Sequence, residues 1–188
     1  MKKLKLVLTS IIVLFATLGC EKEDLTQDAS YLKALDKQTE KIKTVPFKGN
    51  FVSTPADVVL IECADINPTG VVIPAPKINV VKGNATHLGI LDQMNSPLIV
   101  EECSFDSNTG ILTVTLNITV KNKNGDGIRF LGESNISIEG PASGTYNIVE
   151  GYGKFEGATG SLTTNGFFNG ETGVAEFSAE GFITQPNH

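Results

Sequence analysis

Side chains that could do chemistry are sparse in this chain of 188 residues. Its two histidines are His87 and the terminal His188, whereas a metal site needs several convergent His, Cys or carboxylate ligands. No G-x-S-x-G segment marks a serine nucleophile. Glu101 and Glu102 are neighbours on a predicted strand, so their side chains point to opposite faces and cannot form an acid/base pair. We therefore assign no catalytic residue, no metal ligand and no cofactor.

His87 has two interpretations. It can stand at the entry to a strand, with its ring hydrogen-bonded to the backbone. Alternatively, it lines the mouth of a barrel, where its ring would contact a ligand.

The first twenty residues have the pattern of an export signal. Lys2, Lys3 and Lys5 precede an apolar run from Leu6 to Leu18, which is shorter than the about 20 residues that span a bilayer. The run ends at Gly19-Cys20. This arrangement resembles a bacterial lipoprotein signal, which implies that residues 1–19 are removed and that Cys20 carries diacylglycerol and a further acyl chain such as palmitate. A plain secretory signal cleaved at Gly19 is the alternative.

The residues after Cys20 indicate where the exported protein is located. Glu21-Lys22-Glu23-Asp24 resembles the export signal of lipoproteins that Bacteroides-type bacteria carry to the outer face of the outer membrane. The resemblance implies a lipid-anchored protein of the outer membrane that faces the cell exterior. Read as a plain charged tether, the same residues also suit a lipoprotein that faces the periplasm.

The charge balance excludes some partners. The chain has 15 basic and 21 acidic residues, and loss of the three signal lysines would leave 12 basic residues against 21. An acidic surface repels phosphate backbones and anionic headgroups. We expect no nucleic-acid partner, and we expect membrane attachment through lipid rather than through a basic patch.

Two cysteines remain if Cys20 is acylated. Cys63 and Cys103 lack a second Cys or His three residues away, so their spacing does not indicate zinc. An envelope compartment permits a disulfide, and the chain-entropy model values a loop of this length at about 3–4 kcal/mol. The alternative is two unpaired, buried thiols.

Residues 20–46 form the predicted tether. Leu32, Leu35 and Ile42 fall at helical spacing, which predicts a short amphipathic helix of about 12 residues. Pro46 would end it, because the residue before proline avoids helical angles. The folded domain is then residues 47–188.

The pattern from Phe47 onward predicts antiparallel β-structure. Residues 111–120 alternate strictly between apolar and polar, a turn rich in Asn, Asp and Gly follows at 122–127, and the chain returns from Ile128 as a long hairpin. The other predicted strands are 47–53, 58–63, 77–81, 86–92, 98–105, 146–152, 160–168 and 175–183. So many short strands indicate a sandwich or a closed barrel.

Two glycine-rich segments carry a resemblance. Gly151–Gly160 resembles a signature of barrel proteins of the allene oxide cyclase and dirigent type, and Gly83–Gly89 resembles a segment of small secreted bacterial proteins that share it. The resemblance implies an all-β, antiparallel, calycin-like closed barrel of about eight strands. Phe155 would then be an apolar plug at a corner. The resemblance assigns no activity to particular residues of this chain.

These features predict a lipid-anchored envelope protein whose barrel binds a small apolar molecule. An isomerase or cyclase that acts by confining its substrate is one alternative. An adhesion or interaction module with a filled barrel is the other.

Overall fold

Alternating apolar and polar residues form β-strands along most of the described chain. The computed structural model describes residues 42–137 and 140–185. The strands are β1 (Lys43–Pro55), β2 (Leu60–Asp65), β3 (Val72–Pro76), β4 (Ile78–Ala85), β5 (Gly89–Ile90), β6 (Pro97–Asp106), β7 (Ile111–Lys121), β8 (Gly127–Ser137), β9 (Pro141–Tyr152), β10 (Thr159–Asn169) and β11 (Val174–Gln185). In the described ranges, helical structure is limited to two 3₁₀ turns, Gln93–Asn95 and Gly153–Phe155.

Eight of these strands close into a ring. They follow one another as β6-β7-β8-β9-β10-β11-β1-β4, each pair antiparallel, and β4 pairs with β6 to complete the circle. The core fills the ring, because alternate side chains of each strand point inward. The closed antiparallel barrel of about eight strands predicted from the sequence is confirmed.

The connections between strands fall at two ends of this barrel. At one end, called here the open end, lie residues 56–77, which carry β2 and β3, and the turns 107–110 and 170–173. At the other, the closed end, lie residues 86–96, 122–126 and 153–158. Leu88, Leu91 and Phe155 are buried at the closed end and plug it.

The β2–β3 hairpin lies outside the ring. It joins the sheet through a parallel pairing of β2 with β6, at Ala64 and Ser104, and β3 pairs only with β2. Strand β3 was not predicted from the sequence. Pro74 and Pro76 lie within it, and proline is tolerated there because this is an edge strand.

The predicted strand at residues 86–92 is wrong. Strand β4 continues through Ala85, and the chain then turns at His87 and Gly89, which have φ of 67° and 71°. Gly89–Ile90 pairs again with the end of β4, and Leu91 forms an isolated bridge with Asn122. The apolar residues Leu88 and Leu91 suggested a strand, but they point into the closed-end plug.

Strand β1 begins earlier than the predicted domain boundary. Lys43 pairs with Gln185 of β11, so Lys43–Pro46 belongs to the barrel. The predicted signal, the predicted lipidation site Cys20 and most of the predicted tether helix lie outside the described residues. No helix within those residues has the length and apolar character needed to cross a membrane.

Candidate functional site

A cavity of about 420 Å³ occupies the open end of the barrel. It lies between the β2–β3 hairpin, the ends of β7 and β8, and the β10–β11 turn. Its apolar walls come from Leu60, Ile73, Ala75, Leu112, Ile136 and Phe168. This space is called the mouth cavity below.

Two smaller cavities lie further inside the barrel and share wall residues with the mouth cavity. The upper one, of about 70 Å³, shares Leu112, Ile136 and Phe168 with the mouth cavity. The lower one, of about 60 Å³, again shares Ile136 and Phe168 and reaches Tyr146. The three spaces therefore adjoin one another, from the open end toward Tyr146, and the two smaller cavities together are called the channel below.

A cluster of three hydroxyl groups lies at the inner end of the channel. The Tyr146 hydroxyl forms a hydrogen bond with Ser134 Oγ and also hydrogen-bonds with Thr164. All three side chains are buried. Burial raises the pKa of Tyr146, although the hydrogen bonds from Ser134 and Thr164 act in the opposite direction. Tyr146 is therefore a neutral phenol that can orient a polar group but does not serve as a base near neutral pH.

The sequence makes room for Tyr146 with glycine. A Cβ on Gly132, the cross-strand partner of Tyr146, would lie 2.7 Å from Tyr146 Cα. A Cβ on Gly144 would lie 2.8 Å from Tyr146 Cε2. The ring occupies space that side chains at these two positions would fill.

Two further buried polar residues border the channel. Ser53 and Asn79 line the upper cavity, and Asn79 Nδ2 donates a hydrogen bond of 3.3 Å to the Pro76 carbonyl. This contact holds the start of β4 to the end of β3. It therefore fixes a wall that the mouth cavity and the channel share.

A disulfide fastens the β2–β3 hairpin to the barrel. Cys63 of β2 is bonded to Cys103 of β6, with 4.9 Å between the Cα atoms. The hairpin supplies one wall of the mouth cavity, so this bond fixes the wall to the ring.

A polar network fastens the same hairpin at its tip. Asn67 Nδ2 donates to Asp106 Oδ1 at 2.8 Å, and the Ser107 amide donates to Asp65 Oδ1 at 3.1 Å. Asn108 Nδ2 donates to Asn67 Oδ1 at 2.8 Å. These bonds join the β2–β3 loop to the β6–β7 turn, so two independent attachments hold the hairpin.

The carboxylates of this network are held in their charged form. Desolvation opposes ionisation of Asp65, but hydrogen bonds from Ser107, Thr69 and Asn67 outweigh it and hold its pKa well below the usual range. Hydrogen bonds from Thr109, Asn67 and Asn108 likewise lower the pKa of Asp106. Both side chains are therefore anionic at any pH near neutrality.

His87 lies at the closed end, away from the mouth cavity. Its ring Nε2 is 3.1 Å from the Pro46 carbonyl oxygen, and the residue occupies an exposed turn with positive φ. The ring therefore ties this turn to the start of β1, which is the backbone-bonded arrangement considered for it from the sequence.

No group of three or more His, Cys, Asp or Glu side chains that could hold a metal occurs in residues 42–137 and 140–185. In the same residues, Glu171 is the one charged side chain that lines the mouth cavity or the channel. The site is thus an apolar space with a carboxylate at its rim and neutral hydroxyls at its inner end.

Comparisons with known proteins give a limited result. No family model and no curated protein matches the chain. Two solved structures of pterocarpan synthase dirigent proteins resemble it. One has a TM-score of 0.47 and 15% identity, over 81% of this chain and 96% of its own. The other has a TM-score of 0.44 and 16% identity, over 80% of this chain and 99% of its own. At these levels of similarity, neither protein's activity carries over to this chain.

Proposed function

We propose that this protein is a lipid-anchored cell-envelope protein whose barrel binds a small apolar or amphipathic molecule through its open end. The mouth cavity is the observation that supports ligand binding. Its volume of about 420 Å³ lies in the range of about 300–1,000 Å³ typical of small-molecule sites. Its walls are apolar, and the hairpin that forms one of them is fixed to the ring at two places.

The chemistry of the lining favours binding over catalysis. The hydroxyls of Tyr146, Ser134 and Thr164 are neutral, and that of Tyr146 hydrogen-bonds with the other two. General acid–base catalysis needs a group whose pKa lies near the working pH, and burial moves Tyr146 away from that range. The cluster can donate a hydrogen bond to a ligand at the inner end of the channel, or accept one from it.

An enzyme that acts by confinement is the second candidate. The convergence of three hydroxyls at the inner end of an apolar channel favours it, since such a site can hold a reactive intermediate in one geometry. Mass spectrometry separates the two candidates. A carrier releases the molecule it retained unchanged, whereas an enzyme of this kind converts a bound precursor to an isomer during incubation.

A titration with N-phenyl-1-naphthylamine, a neutral apolar fluorophore, tests the binding site. Ile136 borders both the mouth cavity and the channel, so a larger side chain in Ile136→Phe takes up space in them. We expect it to weaken probe binding about tenfold, which corresponds to about 1.4 kcal/mol. Leu131→Phe is the matched control, because Leu131 lies on the same strand with its side chain 39% exposed. Absence of probe binding to the wild-type protein would contradict the proposal.

The anchoring part of the proposal has its own test. If Cys20 is lipidated, cells fed labelled palmitate incorporate the label into the protein, and Cys20→Ser abolishes it. Protease digestion of intact cells then distinguishes a surface-facing barrel from a periplasmic one. Label retained in the Cys20→Ser protein would refute Cys20 as the lipidation site, and absence of label from the wild-type protein would refute the lipid anchor. Neither result bears on the ligand site.

A further inference from the structure

Charged residues are distributed unequally between the two ends of the barrel. The connections at the open end carry four carboxylates and a single basic residue among the described residues, namely Asp57, Glu62, Asp65 and Glu171 against Lys77, and Asp106 at the end of β6 adds a fifth carboxylate beside them. The lysines of the turns at the closed end, Lys123 and Lys154, are accompanied by Asp92, Asp126 and Glu156. The open end is therefore acidic, while the turns at the closed end are close to balanced.

The negative charge at the open end is not neutralised by ion pairs within the described residues. The salt bridges among the described residues are Lys48–Glu180, Arg129–Glu150 and Lys154–Asp126. None of them involves a carboxylate at the open end. Asp65 and Asp106 receive their hydrogen bonds from neutral amides and hydroxyls. Such donors stabilise a carboxylate without cancelling its charge.

Glu171 places one of these charges on the mouth cavity itself. It lies in the β10–β11 turn and lines the cavity together with Thr172 and Phe168. Asn169 Oδ1 accepts hydrogen bonds from the amides of Glu171 and Thr172, at 3.0 Å and 3.1 Å. The backbone that carries this carboxylate is therefore fixed at the rim of an otherwise apolar space.

We propose that the mouth cavity selects amphiphiles with a cationic head group, whose apolar body enters the cavity while the head stays at the rim beside Glu171. This inference rests on the proposed binding function. Like charges around a low-dielectric opening focus the field there, so a cation is concentrated at the mouth and an anion is repelled. An amphiphile with a carboxylate or phosphate head would have to bring that charge among five others of the same sign.

A matched series of amphiphiles tests the inference. Decylammonium, decanol and decanoate share one apolar chain and differ only in the head. Each displaces N-phenyl-1-naphthylamine from the protein at pH 7.5 and low ionic strength. We expect decylammonium to bind about tenfold more tightly than decanoate, with decanol between them. At about 1 M salt, where the Debye length is about 3 Å, the difference should shrink to about twofold or less.

Two charge variants locate the effect. Glu171→Lys should abolish or reverse the preference for decylammonium over decanoate. Glu156→Gln, an exposed carboxylate at the closed end, is the matched control and should leave the preference unchanged. Glu171→Gln, which changes charge with little change in shape, should give an intermediate result.

The outcomes separate this inference from the function it rests on. If neither the probe nor any decyl compound binds, the proposed function fails. If decanol binds but decanoate binds as tightly as decylammonium, the ligand site stands and the cationic selectivity is wrong. A preference for decylammonium that persists unchanged in Glu171→Lys also overturns the assignment to the mouth cavity.

Discussion

Tyr146 can occupy the barrel interior because glycines stand beside it. The Cβ that alanine would add at position 132 clashes with the Thr145 carbonyl oxygen as well as with the Tyr146 backbone. Both obstacles are backbone atoms, which cannot rotate away as a flexible side chain could. A substitution there must displace a strand.

Gly132→Ala should therefore destabilise the protein by about 1–3 kcal/mol, the usual cost of overpacking a filled interior. Gly170→Ala is the matched control, since a Cβ at Gly170 meets nothing within 4 Å. It should change the free energy of unfolding by no more than about 0.5 kcal/mol. Urea unfolding followed by circular dichroism measures both. Equal stability of the two variants would contradict the packing described for Tyr146.

Removal of the Tyr146 hydroxyl tests the buried hydroxyl cluster, again through the free energy of unfolding measured in urea. Tyr146→Phe leaves the buried hydroxyls of Ser134 and Thr164 with one partner fewer, so we expect a loss of about 1–3 kcal/mol. Tyr152→Phe removes a hydroxyl that donates to Glu150 at 2.9 Å on the surface, and it should cost about 0.5 kcal/mol or less. A larger loss at Tyr152 than at Tyr146 would argue against a structural role for the cluster.

At the scale of elements, the β2–β3 hairpin decides the shape of the mouth cavity. It is an edge hairpin outside the ring, and β3 pairs with β2 alone. Its position therefore depends on the Cys63–Cys103 bond and on the network between the β2–β3 loop and the β6–β7 turn. Loss of either attachment should loosen the wall of the site before it disturbs the barrel.

The double variant Cys63→Ser, Cys103→Ser tests the first attachment. Opening a loop closed by residues 40 apart costs roughly 4 kcal/mol in the chain-entropy model. Amide hydrogen exchange should also speed up more in residues 60–76 than in β7 or β8. The hairpin loses the disulfide that attaches it, whereas the ring strands keep their hydrogen bonds to one another. Unchanged exchange in the hairpin would show that the disulfide does not hold this wall.

The second attachment should make stability depend on pH. The pKa values of Asp65 and Asp106 are lowered in the folded protein, so the folded state binds fewer protons than the unfolded state as the pH falls below about 4. The stabilisation is complete above the unfolded-state pKa and is lost as the pH falls toward the folded-state values. Urea midpoints measured between about pH 5 and pH 2.5 should decrease, and Asp65→Asn should flatten the decrease. An identical slope in wild type and variant would contradict this account of Asp65.

Most ring strands were predictable from the sequence because each has its own alternation of apolar and polar residues and is bounded by turn residues. Strand β7 alternates from Leu112 to Val120, and the Asn- and Gly-rich turn after Lys121 fixes its hairpin with β8. The β4–β6 pairing that closes the ring is different. Only three residue pairs form it, Ile78–Ile99 through Val80–Pro97, and no local pattern in either segment specifies the other as its partner.

The site was less predictable than the fold. Gly132 and Ser134 have the same parity along β8 as the inward apolar residues, but nothing in the sequence of β9 marks Tyr146 as the side chain that fills the space beside them. One wall of the mouth cavity comes from β3, and this strand was not predicted because its prolines are unfavourable in a strand. Its lining residues come from segments far apart in the chain, so only the closed barrel brings them together.

At the scale of the whole molecule, the barrel has two dissimilar ends. The described chain begins at the closed end, where Lys43 pairs with Gln185, and that end is plugged by Phe155 and its neighbours. The mouth cavity and the acidic connections lie at the opposite end.

The central claim is that a small apolar molecule enters this barrel through its open end, and methyl NMR of the protein titrated with decylammonium tests it most directly. The account predicts shifts for the methyl groups of Leu60, Ile73, Leu112 and Ile136, which line the mouth cavity. It predicts little change for Leu88 and Leu91 in the closed-end plug. Saturable shifts confined to the closed end, or no shifts at all, would contradict it.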